Sequence, residues 1–175
     1  MEDVKKNNVE SDKVPATMAA LAVGKDVYFS SSIKGGPFLL TPSRKEPRKV
    51  HEATAAEVKR AIIHCQQAYN KEHRFGMACA EPLAVQQYIS NNKDTSIEGK
   101  AKVSTYGVLK KDKNGQIVNE GILDPCSVDN SGQWGCQVFV DKLQITKVGK
   151  QNDHPDLPTF DPKTPIPHCF WDSPE

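Results

Sequence analysis

No apolar run in this chain approaches the roughly 20 consecutive residues that a membrane-spanning helix needs. No hydrophobic segment follows the charged, Asn-rich N-terminus, so no secretory signal peptide is expected, and the site of action should be intracellular. The chain also lacks a strong charge of either sign. A formal net charge of +1 gives no global field to attract a polyanion or a membrane surface. It holds five cysteines, an odd number, and without a signal peptide a disulfide framework is the weaker reading. Metal ligation or free thiols are the stronger one.

The 175 residues are about 37% hydrophobic. That suffices for one core and one domain, burying roughly 70% of the surface that the unfolded chain exposes. Charge is clustered locally. Arg44, Lys45, Arg48 and Lys49 form one basic run, and Lys100, Lys102, Lys110, Lys111 and Lys113 form another. Either these are solvated loop charges or they contact nucleic-acid phosphates.

Residues 1–15 are polar and charged and are expected to be disordered. Residues 150–175 hold half of the prolines, which excludes a regular helix or central strand there. Phe160, Ile166, Phe170 and Trp171 could pin that segment across the body as a strap. The body is then 16–149. Thr17 to Val23 is small and apolar on both faces, as a strand covered on both sides would be. A turn at 24–26 leads into a second strand over 27–33. Residues 37–52 read as a long basic loop. Thr54 and Glu57 have capping-box spacing, and Val58, Ile62, Cys65 and Tyr69 follow at helical intervals, predicting a helix over 55–71. A second helix is expected from Cys79 to Ser90, with Pro82 in its first turn. Ala101 to Lys110 reads as a strand, and Gln116 to Leu123 as extended or irregular. A third helix over 134–143 and a strand over 144–148 complete the order β-β-α-α-β-α-β. The expected class is α/β, a single mixed sheet packed with helices.

The chemistry concentrates in two short runs. Met77-Ala78-Cys79-Ala80-Glu81-Pro82 places a thiol two residues before a carboxylate, at the start of the second helix. Asp124-Pro125-Cys126 and Cys136 follow, before and at the start of the third. Three soft ligands can hold a zinc ion and leave its fourth position for water, while a carboxylate that is not a ligand moves protons. If both helix N-termini point at one spot, their partial positive charge favours thiolates there.

Cys79-Ala80-Glu81 and Pro125-Cys126 resemble the His/Cys-x-Glu motif and the start of the Pro-Cys-x-x-Cys motif of the zinc-dependent cytidine-deaminase-like superfamily. The order of elements over roughly 16–149 is similar too, closest to the compact toxin-type nucleic-acid cytosine deaminases. The resemblance implies a cytidine deaminase-like fold, with Cys79, Cys126 and Cys136 as ligands of Zn²⁺ and Glu81 as the proton shuttle. It also implies hydrolysis of cytosine to uracil. The chain departs from the pattern at one place. Nine residues separate Cys126 from Cys136 where the family has two. They are mostly polar and turn-forming, as in an inserted surface loop, and loop closure grows only slowly in cost with length.

The remaining candidates are less sharply drawn. Cys65 on the apolar side of the first helix reads as a core thiol. His73 could line the mouth of the site. Ser30 and Ser32 end the second strand, where the family often places a polar residue against base or ribose. Trp134 could stack on a base or pack the inserted loop onto the body. Phe75 and Tyr88 default to core packing. The expected substrate is cytosine in nucleic acid, with DNA first. The alternatives are a free nucleoside, nucleotide or small aminopyrimidine, or no catalysis at all in a zinc-stapled interaction module. An immunity or carrier protein is a candidate partner.

Overall fold

The computed structural model describes residues 16–34, 38–40, 49–92, 95–111, 113 and 117–149. The expected N-terminal segment, the proline-rich strap and Arg44, Lys45 and Arg48 lie outside these residues.

Strand β1 (Thr17–Val23) forms an antiparallel hairpin with β2 (Asp26–Ser31). On its other side it pairs antiparallel with β3 (Ala101–Lys111), placing Leu21 opposite Val103. The far edge of β3 carries two partners end to end. β4 (Ile117–Leu123) runs antiparallel to its second half, and the short β5 (Thr146–Lys147) runs parallel to its start. The sheet is therefore mixed, in the order β2-β1-β3-β4 with β5 on β3. Among the described residues the order is β-β-α-α-β-β-α-β, one strand more than expected, because residues 117–123 form a full strand.

Among the described residues, β1 is covered on one face only. Ala19, Leu21 and Val23 are buried, while Met18 on the opposite face is exposed together with Val27, Phe29 and Tyr106. Ala20 and Ala22 share that outer face, and their apolar side chains make a one-sided strand read as a two-sided one.

The described residues hold three helices on the inner side of the sheet: α1 (Ala56–Tyr69), α2 (Ala80–Asn91) and α3 (Cys136–Lys142). α2 packs directly on β1 and β2, and α1 and α3 pack beyond it. Its central place explains why Ala80, Leu83, Ala84, Val85, Tyr88 and Ile89 are all buried, leaving little amphipathic signal. In α1 the helical-interval residues Val58, Ile62 and Cys65 are fully buried, whereas Tyr69 is partly exposed. The capping box does not form. The Thr54 hydroxyl donates to Leu39 O (3.4 Å), and Ala55, at the N-cap, donates its N–H to Gln86 Oε1 (2.9 Å). Leu39 and Leu40 draw Thr54 inward, because this part of the expected loop is core: both are buried, and Leu40 bridges Val50. No helix among the described residues is long and apolar enough to cross a membrane.

α3 spans only seven residues, too few to be stable by itself. It is held through Phe139 and Val140, both fully buried. Phe139→Ala should cost about 3–5 kcal/mol and lower the denaturation midpoint in urea. It should also loosen Cys136, which shares the helix.

Candidate metal centre

Four side chains meet where the two motifs come together. The ligand atoms of His73, Cys79, Cys126 and Cys136 all lie within 4.8 Å of one another. Cys79 is the N-cap of α2, and Cys136 is the first residue of α3. Cys126 precedes α3, and its sulfur accepts the Cys136 backbone N–H at 3.1 Å. The three sulfurs singled out in the sequence thus sit together despite the long spacing of two of them.

The inserted segment explains how. It leaves after Cys126, closes on itself and returns to the same place. Asp129 Oδ1 accepts the backbone N–H groups of Ser131 and Gln133 and the Ser131 hydroxyl, and Asp129 N–H donates to Gln133 O. The Ser131 hydroxyl, first among these, holds the Asp129 carboxyl below the usual carboxylate range. Gln137 N–H then donates to Cys126 O (3.0 Å). At Gly135 the two ends touch. A Cβ there would lie 2.0 Å from Cys126 O, so no residue with a side chain fits without moving the backbone.

His73 enters from the loop before α2. Its Nε2 lies 3.3 Å from Cys136 Sγ and 3.9 Å from Cys126 Sγ. The backbone coils round the ring: Phe75 and Met77 donate their N–H groups to Nδ1 at 3.1 and 3.2 Å. This coil needs left-handed backbone at Gly76 (φ 59°) and Met77 (φ 61°), a conformation that glycine adopts freely and methionine at a cost. The histidine is almost wholly buried, so it belongs to the cluster itself rather than to the mouth of the site.

Glu81, one residue into α2, is also buried. Thr105 Oγ1 donates to its Oε1 at 3.0 Å, and the Cys136 thiol is within hydrogen-bonding reach. Burial raises its pKa above the usual carboxylate range.

The thiols are electrostatically interdependent. Cys126 is held far below its ordinary pKa by hydrogen bonds from the Cys136 and Cys79 thiols. The hydrogen bond to Cys126 raises Cys79, and burial raises Cys136 well above the normal thiol range. The three thiols thus do not ionise independently of one another. A cation is what would let all three ionise. Tetrahedral sites built on metal–sulfur bonds of ~2.3 Å place their sulfurs roughly 3.8 Å apart, so the cluster needs only a small contraction to close on an ion. The donor set, sulfur with imidazole, suits a soft or borderline metal. Cys65 stands apart as a core thiol, pushed up to about 11 by burial.

The cluster opens into a cleft of about 760 Å³ lined by Ser32, Ile33, Phe75, Cys79, Glu81, Thr105 and Cys126, among others. Ser32 lies in it, although its Oγ accepts the Thr17 N–H (3.2 Å). Ser30 does not. Its hydroxyl donates to Ala80 O and pins β2 to the start of α2. Trp134 does not either. It is fully buried, donates Nε1–H to Lys71 O (2.9 Å) and stands edge-on to His73 with centroids 4.8 Å apart. A base-stacking role for Trp134 is thereby corrected, because no face of the ring is open. The exposed aromatic at the cleft is Phe75, 54% accessible, with the Arg74 guanidinium 4.8 Å from its ring centre. Core packing, the default for both aromatics that flank the first motif, holds for Tyr88 and not for Phe75, which lies in an irregular loop. Lys100 and Lys102 do not line the cleft; its basic residues are Lys34 and Arg74, beside the acidic Glu72 and Asp124.

No family model matches this chain, and no curated protein or solved structure is significantly similar to it.

Metal loading must displace protons from Cys79 and Cys136, whose pKa values are both raised. Apparent metal affinity should therefore fall as pH drops, by about tenfold per pH unit for each proton displaced. Competition titrations with a chromogenic chelator across neutral pH check this. Gly135→Ala should separate Cys126 from Cys136 and weaken loading by about ten- to hundredfold, measured by the same titration.

Proposed function

We propose that this protein is a zinc-dependent hydrolytic deaminase that converts cytosine to uracil in a nucleic-acid strand. The observation that carries the reading is Glu81: a buried carboxylate held by Thr105 beside three converging sulfurs, opening on the same cleft. A structural staple has no use for such a group, whereas a hydrolase needs one.

Cys79, Cys126 and Cys136 would hold Zn²⁺, which supplies Lewis acidity that activates water near neutral pH. Glu81 Oε takes a proton from the attacking water and passes it to the ring nitrogen next to the amino-bearing carbon. It then takes the remaining proton from the newly attached hydroxyl and delivers it to the amino group, so that the C–N bond breaks, ammonia leaves and a carbonyl replaces the amino group. The raised pKa of Glu81 suits this two-way traffic, because a carboxyl that releases its proton less readily serves as both acid and base. Thr105 fixes one oxygen so that the other can face the substrate.

The dimensions of the cleft support a strand substrate. A cavity of about 760 Å³ leaves room beyond a single base, and Lys34 and Arg74 offer positive charge at it. Glu72 and Asp124 nearly balance that charge and favour the smaller alternative, a free nucleoside or nucleotide. The non-catalytic reading also has an observation behind it. A histidine with three cysteines matches the ligand set of closed structural zinc sites.

Glu81→Gln separates these readings. A deaminase should keep its zinc and lose about 10²–10⁴-fold in turnover; a zinc staple should keep both its zinc and whatever it binds. Thr105→Val should reduce turnover less than Glu81→Gln at unchanged metal content. Uracil formation in single- and double-stranded oligonucleotides, run beside ammonia release from cytidine and deoxycytidine, identifies the substrate. Absence of conversion in every arm, with one zinc bound per chain, would refute the enzyme.

A further inference from the structure

The imidazole of His73 bears two separate sets of contacts, and together they fix where its proton sits. Nδ1 accepts backbone hydrogens from Phe75 and Met77. A ring nitrogen that accepts a hydrogen carries none, so the neutral ring bears its proton on Nε2. Nε2 is the nitrogen that faces the sulfurs, 3.3 Å from Cys136 and 3.9 Å from Cys126.

Ligation through Nε2 would require the opposite arrangement. The lone pair would have to be on Nε2 and the proton on Nδ1, pointing at two amide hydrogens and leaving both without an acceptor. Metal-bound histidines are normally supported in reverse, with the second nitrogen donating to a carbonyl or carboxylate. The surroundings of Nδ1 hold two donors instead. The ring is also clamped: Trp134 stands edge-on to it, Gly76 N–H donates to His73 O (2.9 Å), and Arg74 N–H donates to Trp134 O (2.9 Å).

We propose that His73 is not the fourth ligand of the metal but a hydrogen-bond donor to the thiolates of Cys136 and Cys126. The protein then offers the ion three sulfurs and leaves one coordination position to something other than protein. The inference rests on reading the sulfur cluster as a metal centre and does not depend on deamination. Its value to the site is electrostatic. Three thiolates outweigh a divalent cation by one charge, and N–H donors draw electron density off the sulfurs and keep the ion electrophilic. His73 Nε2–H would do this for Cys136 and Cys126, and the Cys136 backbone N–H already does it for Cys126. His73 is thus a positioning residue, and it is what separates an open site from a closed one built from the same four side chains.

The test loads the full chain with an NMR-active cadmium isotope and labels its histidines with an NMR-active nitrogen isotope. Long-range proton–nitrogen correlations then report which ring nitrogen of His73 carries the proton. Expected are a proton on Nε2, none on Nδ1, couplings from cadmium to three cysteines and none to the His73 ring. Cadmium–nitrogen coupling to His73, or a proton on Nδ1 in the loaded protein, overturns the assignment while leaving the metal centre standing. Failure to bind cadmium or zinc at all removes the metal centre and this inference together, and so is distinguishable from the first failure. As a second arm, His73→Ala should still bind one ion per chain, about ten- to hundredfold more weakly, with the same three cysteine couplings. Loss of all binding by a folded His73→Ala protein also counts against the donor role.

Discussion

Three sulfurs and a carboxylate in one buried pocket cannot all carry their charges. Hydrogen bonding to Cys126 raises Cys79, burial raises Cys136 and Glu81, and the Cys136 and Cys79 thiols hold Cys126 low. Much of the surrounding architecture is there to impose this crowding. The hydroxyl of Ser30 ties β2 to the first turn of α2, Thr105 on β3 reaches Glu81, and Phe139 seats the short helix that begins with Cys136. The four side chains of His73, Cys79, Cys126 and Cys136 form a site that could hold a metal ion.

The same crowding accounts for the loop that holds His73. Left-handed backbone at Gly76 and Met77 is a local cost, and Met77 bears it while fully buried. In return two amide groups that would otherwise be stranded near the sulfurs find an acceptor in Nδ1. Backbone strain, side-chain orientation and the electrostatics of the cluster are therefore aspects of one arrangement.

Most of the elements, and the residues that assemble at the centre, were legible in the sequence for physical reasons. α1 announced itself through Val58, Ile62 and Cys65, and the two cysteine runs through the chemistry of thiol beside carboxylate. What escaped was whatever depended on tertiary context. β4 alternates poorly and looked irregular until paired with β3. Leu39 and Leu40 were masked by basic neighbours, and once buried they took Thr54 away from its expected cap. Trp134, left open between stacking and packing, is core, and Phe75 is at the cleft, since neither sits on a regular element whose period would reveal its direction. His73 lies six residues ahead of Cys79, and only the left-handed turn at Gly76 hinted that the chain doubles back between them.

The excursion between Cys126 and Cys136 starts and finishes at a single carbonyl, that of Cys126, against which Gly135 rests. Its contour is thus decoupled from the spatial relation of the two thiols, as a side road that rejoins at its own junction leaves the main route unchanged. The number of residues spent there can therefore change without moving Cys126 relative to Cys136.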